Sequence, residues 1–314
     1  METEGEELGD LSFMPEGVIA NLLSLTSPID VCRSAVVSRI FNAAAQSDFV
    51  WDRFLPPDWD VLISQRKSDD HNVDPISSSK KEIFFSLCNS PVLIDDGNKS
   101  LSLEKWSGKK CIMLGARDLS VVWGDRSFCW TWYHHPRSRF VEVAGLLNVR
   151  WLEIRGRMSC RMLSPKTTYA AYFVFRMSDR NYVGFDINPA DATVGIVGTE
   201  NQYRSVCLDP YLDNSRRWRQ RRRQHALCLM RPLRGPSLDM LGLEGPQERH
   251  DGWFEIELGE FQSGDGDDEV EIALMEVNGH SAMSGLVVEG IEIRPKPSWT
   301  SLKSWYCKIA LQYK

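Results

Sequence analysis

The sequence predicts a multidomain α+β protein, with a small helical module followed by a larger antiparallel β domain built as a sandwich or a barrel. Three observations carry this prediction. Residues 15–55 place apolar side chains at helical spacing, residues 64–81 are too polar to pack, and residues 109–294 alternate mainly with the period of strands. A length of 314 residues is ample to bury a core and suggests about two modules.

The first helix is expected over residues 15–25, where Val18, Ile19, Leu22, Leu23 and Leu25 form one apolar stripe. Ser27, Pro28 and Asp30 then supply an N-cap, a proline at the first helical position and an acid in the first turn. A third helix is expected over 39–45, and Ser47-Asp48 opens a last turn with Phe49, Val50, Trp51 and Phe54 before Leu55-Pro56-Pro57 stops the run. So few residues in short helices leave apolar side chains over for a partner. The polar stretch 64–81 reads as a linker, and residues 82–88 read as one more short helix ended by Pro91. Strands follow. Residues 151–155 and 253–258 alternate, 170–175 are continuously apolar, Val270, Ile272 and Leu274 repeat at period two, and Ile291-Glu292-Ile293 closes the series.

Composition removes several function classes. Lys and Arg total 37 against 43 Asp and Glu, a net charge of -6, so no broad surface for nucleic acid or anionic membranes is expected. No apolar run approaches the roughly 20 residues that cross a bilayer, and the acidic N-terminus has no signal or transit pattern, so neither membrane insertion nor export is expected. The eight cysteines lack metal or redox spacing and read as reduced, mostly buried thiols. No metal or cofactor motif is found, and His134-His135 would point to opposite faces of a strand.

Three groups could carry function. The aromatic run 123–133 contains Trp123, Asp125, Trp130 and Trp132. Aromatic faces stack on the apolar faces of sugar rings while nearby polar groups bind the hydroxyls, although core tryptophans would give the same run. The basic run Arg216 to Arg223 could contact phosphates or serve as a nuclear import signal, or be a solvated loop. The acids Glu255, Glu257, Glu260, Asp265, Asp267, Asp268, Glu269 and Glu271 could supply a glycosidase pair, or simply face solvent on alternating strands.

Residues 13–24, with Met14 before Pro15, then 27–33, 37–41 and 47–56 resemble an F-box. Residues 103–111, 116–125, 151–156, 251–261 and 288–295 resemble the phloem protein 2 family, the plant lectins also called Nictaba-like. The resemblance implies a helical F-box domain over 11–60, a linker with a short helix over 61–104, a jelly-roll-like antiparallel β-sandwich lectin domain over 105–296, and a C-terminal extension over 297–314. It implies a non-catalytic substrate receptor of a ubiquitin ligase, in the cytoplasm and nucleus, whose partners are a Skp-type adaptor, a cullin scaffold and glycoprotein clients. Pro15, Ile19, Leu22, Val31, Cys32, Val36, Val37 and Trp51 are the expected adaptor-binding residues. Trp123 and Trp130 fall on the two tryptophans that bracket N-acetylglucosamine-containing or N-glycan ligands in the family, with Asp125 and Trp132 beside them. The chain departs from the family where Ser127-Phe128-Cys129 replaces Pro-Gln-Tyr. An F-box receptor that reads a polypeptide degron, and a stress-related lectin whose F-box does not assemble, are the alternatives.

Overall fold

A computed structural model describes residues 14–65, 78–178, 182–185, 189–210, 243, 245–277 and 282–296. The basic run Arg216 to Arg223, the extension 297–314 and most of the polar stretch 64–81 lie outside the described residues. The chain divides into two compact units, one of residues up to Val92 with Leu101–Lys110, the other of Leu93–Ser100 with the residues from Cys111 onward.

The first unit is helical. It contains α1 (Glu16–Ser24), α2 (Pro28–Ser34), α3 (Arg39–Gln46), α4 (Asp48–Asp52), α5 (Trp59–Ser64) and α6 (Lys80–Asn89). Side-chain hydroxyls set several of the starts: Ser27 accepts from the Asp30 N–H ahead of α2, and Ser38 accepts from the Phe41 N–H ahead of α3. Ser79 and Glu82 form a full capping box on α6. Trp51 is fully buried against Phe84 and Phe85 of α6, with ring centroids 5.3 and 5.4 Å away. The helix expected in a linker thus closes the core of this unit. An additional helix, α5, buries Leu62 and Ile63.

The second unit is an antiparallel sandwich. The chain passes between the units in β1 (Val92–Ile94) and β2 (Lys99–Leu103) and continues into β3 (Lys110–Gly115), β4 (Ser120–Val121), β5 (Trp130–Tyr133) and β6 (Val143–Leu146). After these come β7 (Leu152–Ser159), β8 (Thr168–Met177), β9 (Ala190–Ile196), β10 (Gln202–Val206), β11 (Gln247–Glu248), β12 (Phe254–Gln262), β13 (Glu269–Glu276) and β14 (Leu286–Pro295). One sheet runs β3-β14-β8-β12-β11, with β6 also on β14 and β5 on β6; the other runs β10-β9-β13-β7-β4.

Alternation explains how the two sheets meet. Leu152, Ile154 and Met158 of β7 and Ile272 and Leu274 of β13 point inward and are buried, whereas Glu153, Arg155, Arg157 and Glu271 point outward. The sheets approach closely at Gly156, where a Cβ would lie 3.0 Å from Leu114 and 3.4 Å from Ile291. β8 is apolar on its inner face, and a second small core covers part of its outer face. There Val174 packs with Met113, Phe140, Val143, Val287 and Trp253.

β14 carries a bulge between Val288 and Gly290, which leaves Glu289 as the extra residue. Beyond it, Gly290 pairs with Gly115 of β3, and a Cβ at Gly290 would collide with the Leu114 carbonyl oxygen. Substituting Gly290→Ala must push β3 from β14 and is expected to cost about 1–3 kcal/mol, in the range for overpacking. Urea unfolding of the full chain would measure it; an unchanged midpoint would mean the strands separate freely there.

Candidate functional site

The aromatic run of the sequence forms a loop whose shape its own tryptophans dictate. β4 pairs with β7 through Ser120↔Arg155 and Val121↔Ile154, and the Val122 N–H continues the ladder to the Glu153 carbonyl at 3.0 Å. The strand stops at Trp123, which takes a φ of +58°. A bulky side chain rarely occupies that left-handed region, so its neighbours must hold it there. Two indoles do so. Trp130 donates its ring N–H to the Val122 carbonyl at 3.1 Å, and Trp132 donates to the Gly124 carbonyl at 2.8 Å, one clamp on each side of Trp123. Turn bonds from Gly124 N–H to the Val121 carbonyl and from Arg126 N–H to the Trp123 carbonyl, each 2.9 Å, complete the shape.

The consequence is a division of labour. Trp123 is 40% exposed, while Trp130 is 2% exposed and offers no ring face to a ligand. Trp130, expected to bracket a ligand with Trp123, lies beneath the loop because its partner strand β6 (Trp130↔Leu146) carries it into the interior. Trp132 is half-buried under the Arg117 guanidinium, 3.8 Å above its ring, and Arg117 is fixed in turn by Glu142 at 2.7 Å. Asp125 stands exposed at the loop tip. Cys129 is buried, whereas Phe128 is 67% exposed on the rim.

The other candidates resolve differently. Each of the strand acids Glu255, Glu257, Glu260 and Glu271 has a cationic partner: Glu255 with Arg249 (3.0 Å) and Arg294, Glu257 with Arg204 and Lys296 (3.2 Å each), Glu260 with Lys296, and Glu271 with Arg157 (3.2 Å). Asp265 pairs with Lys166 at 3.0 Å and Asp267 with Arg161. These acids serve as ion-pair partners along the strands and the turn. No cluster of metal-ligating side chains occurs among the described residues. Burial pushes the Cys88 thiol up to about 12 and also raises the Cys32 thiol, so both stay protonated near neutral pH.

In the helical unit, the expected adaptor-binding residues fall into two groups. Ile19, Val31 and Trp51 are buried in the unit's own core, and Cys32 is half-buried. Pro15, Leu22, Val36 and Val37 are exposed, Val36 by 87% and Val37 by 71%. Val18, Leu25 and Phe49 are exposed apolar residues of the same unit that the sequence reading did not single out for a partner.

A family model described as Phloem protein 2 matches residues 109–295. The F-box protein PP2-B10 of Arabidopsis thaliana is 42% identical over 284 residues, covering 90% of this chain and 92% of the relative. The F-box protein At2g02240 of the same plant is 42% identical over 285 residues, covering 91% of this chain and 80% of the relative. The F-box protein SKIP3, also from Arabidopsis thaliana, is 41% identical over 289 residues, 91% of this chain and 88% of the relative.

Proposed function

The chain belongs to the F-box group of the plant phloem protein 2 family, and on that premise we propose that it is the substrate-receptor subunit of a Skp–cullin–F-box ubiquitin ligase. The sandwich selects clients through a carbohydrate, an N-acetylglucosamine-type or N-glycan structure. The observation that carries the reading is Trp123, an exposed indole held at positive φ by the ring N–H bonds of Trp130 and Trp132 on either side of it. Strain of that kind costs of order 1–3 kcal/mol and persists where it presents a group for use. The exposed face of Trp123 stacks on a sugar ring, Asp125 accepts from its hydroxyls, and Trp130 and Trp132 hold the loop in shape.

At the helical end, Pro15, Leu22, Val36 and Val37 supply the apolar contact with the adaptor, while Ile19, Val31 and Trp51 keep the helices in register. In this reading the chain performs no chemistry of its own. It holds the client in the cytoplasm or nucleus while the ligase transfers ubiquitin. Phe128 favours a second reading: its exposed ring in the same loop as Trp123, within the Ser127-Phe128-Cys129 that replaces the family's Pro-Gln-Tyr, suits an apolar side chain of a polypeptide client.

Calorimetric titration of the full chain with chitotriose, together with capture of a purified Skp-type adaptor, tests the proposal. Trp123→Ala is expected to lower sugar affinity about tenfold or more, the loss of one stacked ring, and to leave adaptor capture intact. Paired Val36→Glu and Val37→Glu should do the reverse. A folded protein that takes up no sugar at millimolar ligand but still captures the adaptor would favour the polypeptide reading. A protein that captures no adaptor would sink the receptor assignment.

A further inference from the structure

The outer face of the sheet centred on β14 is rich in arginine, and much of that charge is neutralised. Arg139, Arg249 and Arg294 converge on Glu292, and Arg249 and Arg294 also share Glu255. Two arginines beside this network differ. Arg176 of β8 pairs with Val287, a residue of the small outer core, and Arg137 lies in the connection between β5 and β6. Neither makes an ion pair among the described residues, although the chain carries more acids than bases.

The fold brings these two cations together. Gly252 turns the chain toward β12 at a φ of +81°, and its N–H donates to the Arg249 carbonyl at 3.0 Å. A Cβ at that position would collide with a guanidinium nitrogen of Arg137 and lie 4.0 Å from one of Arg176. Both side chains therefore reach over the same glycine. The backbone sets Arg137 there: its carbonyl accepts the Trp253 indole N–H at 3.1 Å, and its own N–H donates to the His135 Nδ1 at 3.2 Å. Arg176 lies beside the same indole, its guanidinium carbon 5.9 Å from the ring centroid. The adjacent acid, Asp251, is already engaged, one oxygen with Arg249 at 3.2 Å and the other with the Trp253 backbone N–H at 3.1 Å. Arg137 is exposed and Arg176 half-buried, so the space above Gly252 is open to a ligand.

Two like charges over one glycine call for a shared counter-ion. We infer that Arg137 and Arg176 bind a phosphate group, free or as a monoester, an assignment that stands whether or not the sandwich binds sugar. Near neutral pH such a group carries a charge of about −1.5 to −2, which matches two guanidiniums, whereas a carboxylate would neutralise only one. Its tetrahedral oxygens accept from both at about 2.8 Å. Burial pushes the Tyr133 phenol up despite the Arg176 charge near it, so its hydroxyl keeps a proton and adds a donor on that side.

Calorimetric titration of the full chain with sodium phosphate, phenyl phosphate and sodium acetate at constant ionic strength tests the site. Saturable uptake of phosphate is expected, with acetate at least about tenfold weaker. Arg137→Gln alters an exposed side chain, leaves the packing undisturbed and should weaken phosphate about tenfold, and Arg176→Gln should weaken it at least as much. Arg126→Gln, at an exposed arginine of the Trp123 loop, should change it by less than about twofold. Phenyl phosphate binding more tightly than the inorganic ion would identify a monoester, and the reverse a free ion; the site stands in both cases. No saturable uptake of either phosphate by the unaltered chain, an equal loss in all three variants, or acetate bound as tightly as phosphate would overturn the assignment. Chitotriose titrated into Arg137→Gln should bind as it does to the unaltered chain, so the two sites are read separately.

Discussion

Replacing Glu292 with glutamine is expected to destabilise the sandwich by about 3–5 kcal/mol at neutral pH, the range for removing one partner of a buried ion pair. Glu292 is 8% exposed on β14, yet three guanidinium groups converge on it. Arg249 lies 2.6 Å from one carboxylate oxygen, Arg294 3.3 Å from the same oxygen, and Arg139 3.8 Å from the other. Burial by itself would raise the carboxyl; the Arg249, Arg139 and Arg294 charges outweigh it and hold the group below its ordinary value. A depressed acid stabilises the fold above its unfolded value, and that contribution disappears as the pH falls through the folded one. The gap between wild type and Glu292→Gln should therefore be full at pH 7 and shrink below the ordinary carboxylate value of about 4.3. Calorimetry at neutral and acid pH reads both, with a midpoint shift on the order of 10 °C at pH 7. Equal midpoints at pH 7, or a gap that persists undiminished in acid, would contradict the account.

The second large effect is expected at Trp51. Its indole is fully buried, touches Phe54, Phe84 and Phe85, and donates its ring N–H to the Ala45 carbonyl at 2.7 Å. Trp51→Ala leaves a cavity and an unpaired buried carbonyl, and such truncations cost about 3–5 kcal/mol. Domains have only about 5–15 kcal/mol in hand, so a small helical unit is expected to lose most of its cooperative unfolding. Far-UV circular dichroism during urea titration would show the helical signal melting early, and adaptor capture should fall although Trp51 presents no exposed surface. Trp51→Phe, which keeps a ring, should recover much of the loss. A Trp51→Ala protein with wild-type helix stability would show that α6 does not depend on this contact.

Much of this architecture was legible in the residues, for identifiable reasons. α2 announces itself by Ser27-Pro28 and α3 by the spacing of Ile40, Phe41 and Ala44, and the strands β7, β8, β12, β13 and β14 by their alternation or continuous apolar run. α5 escaped because Pro56-Pro57 reads as a stop, and the three apolar residues after Asp60 are too few to show a helical period. β4, β5, β6 and β11 are two to four residues long, below the length at which alternation can be seen. The ion network around Glu292 joins residues more than a hundred positions apart, Arg139 among them, and leaves no local trace. At the site, the density of aromatics drew attention to Trp123, but that Trp130 faces inward follows from pairing with β6, which period alone does not give.

The position of β14 has a consequence for synthesis. It is the central strand of its sheet, pairing with β3, β6 and β8, and among the described residues it is the last strand in the chain order. While the ribosome works from β3 to β14, on the order of ten to thirty seconds at typical elongation rates, β3 and β8 have no neighbour between them. The nascent protein thus carries finished helices followed by a sheet lacking its middle, with open strand edges that invite wrong pairings. The chain is exposed to quality control through that interval, and nascent-chain crosslinking to chaperones should be strongest on arrested chains that stop short of Leu286.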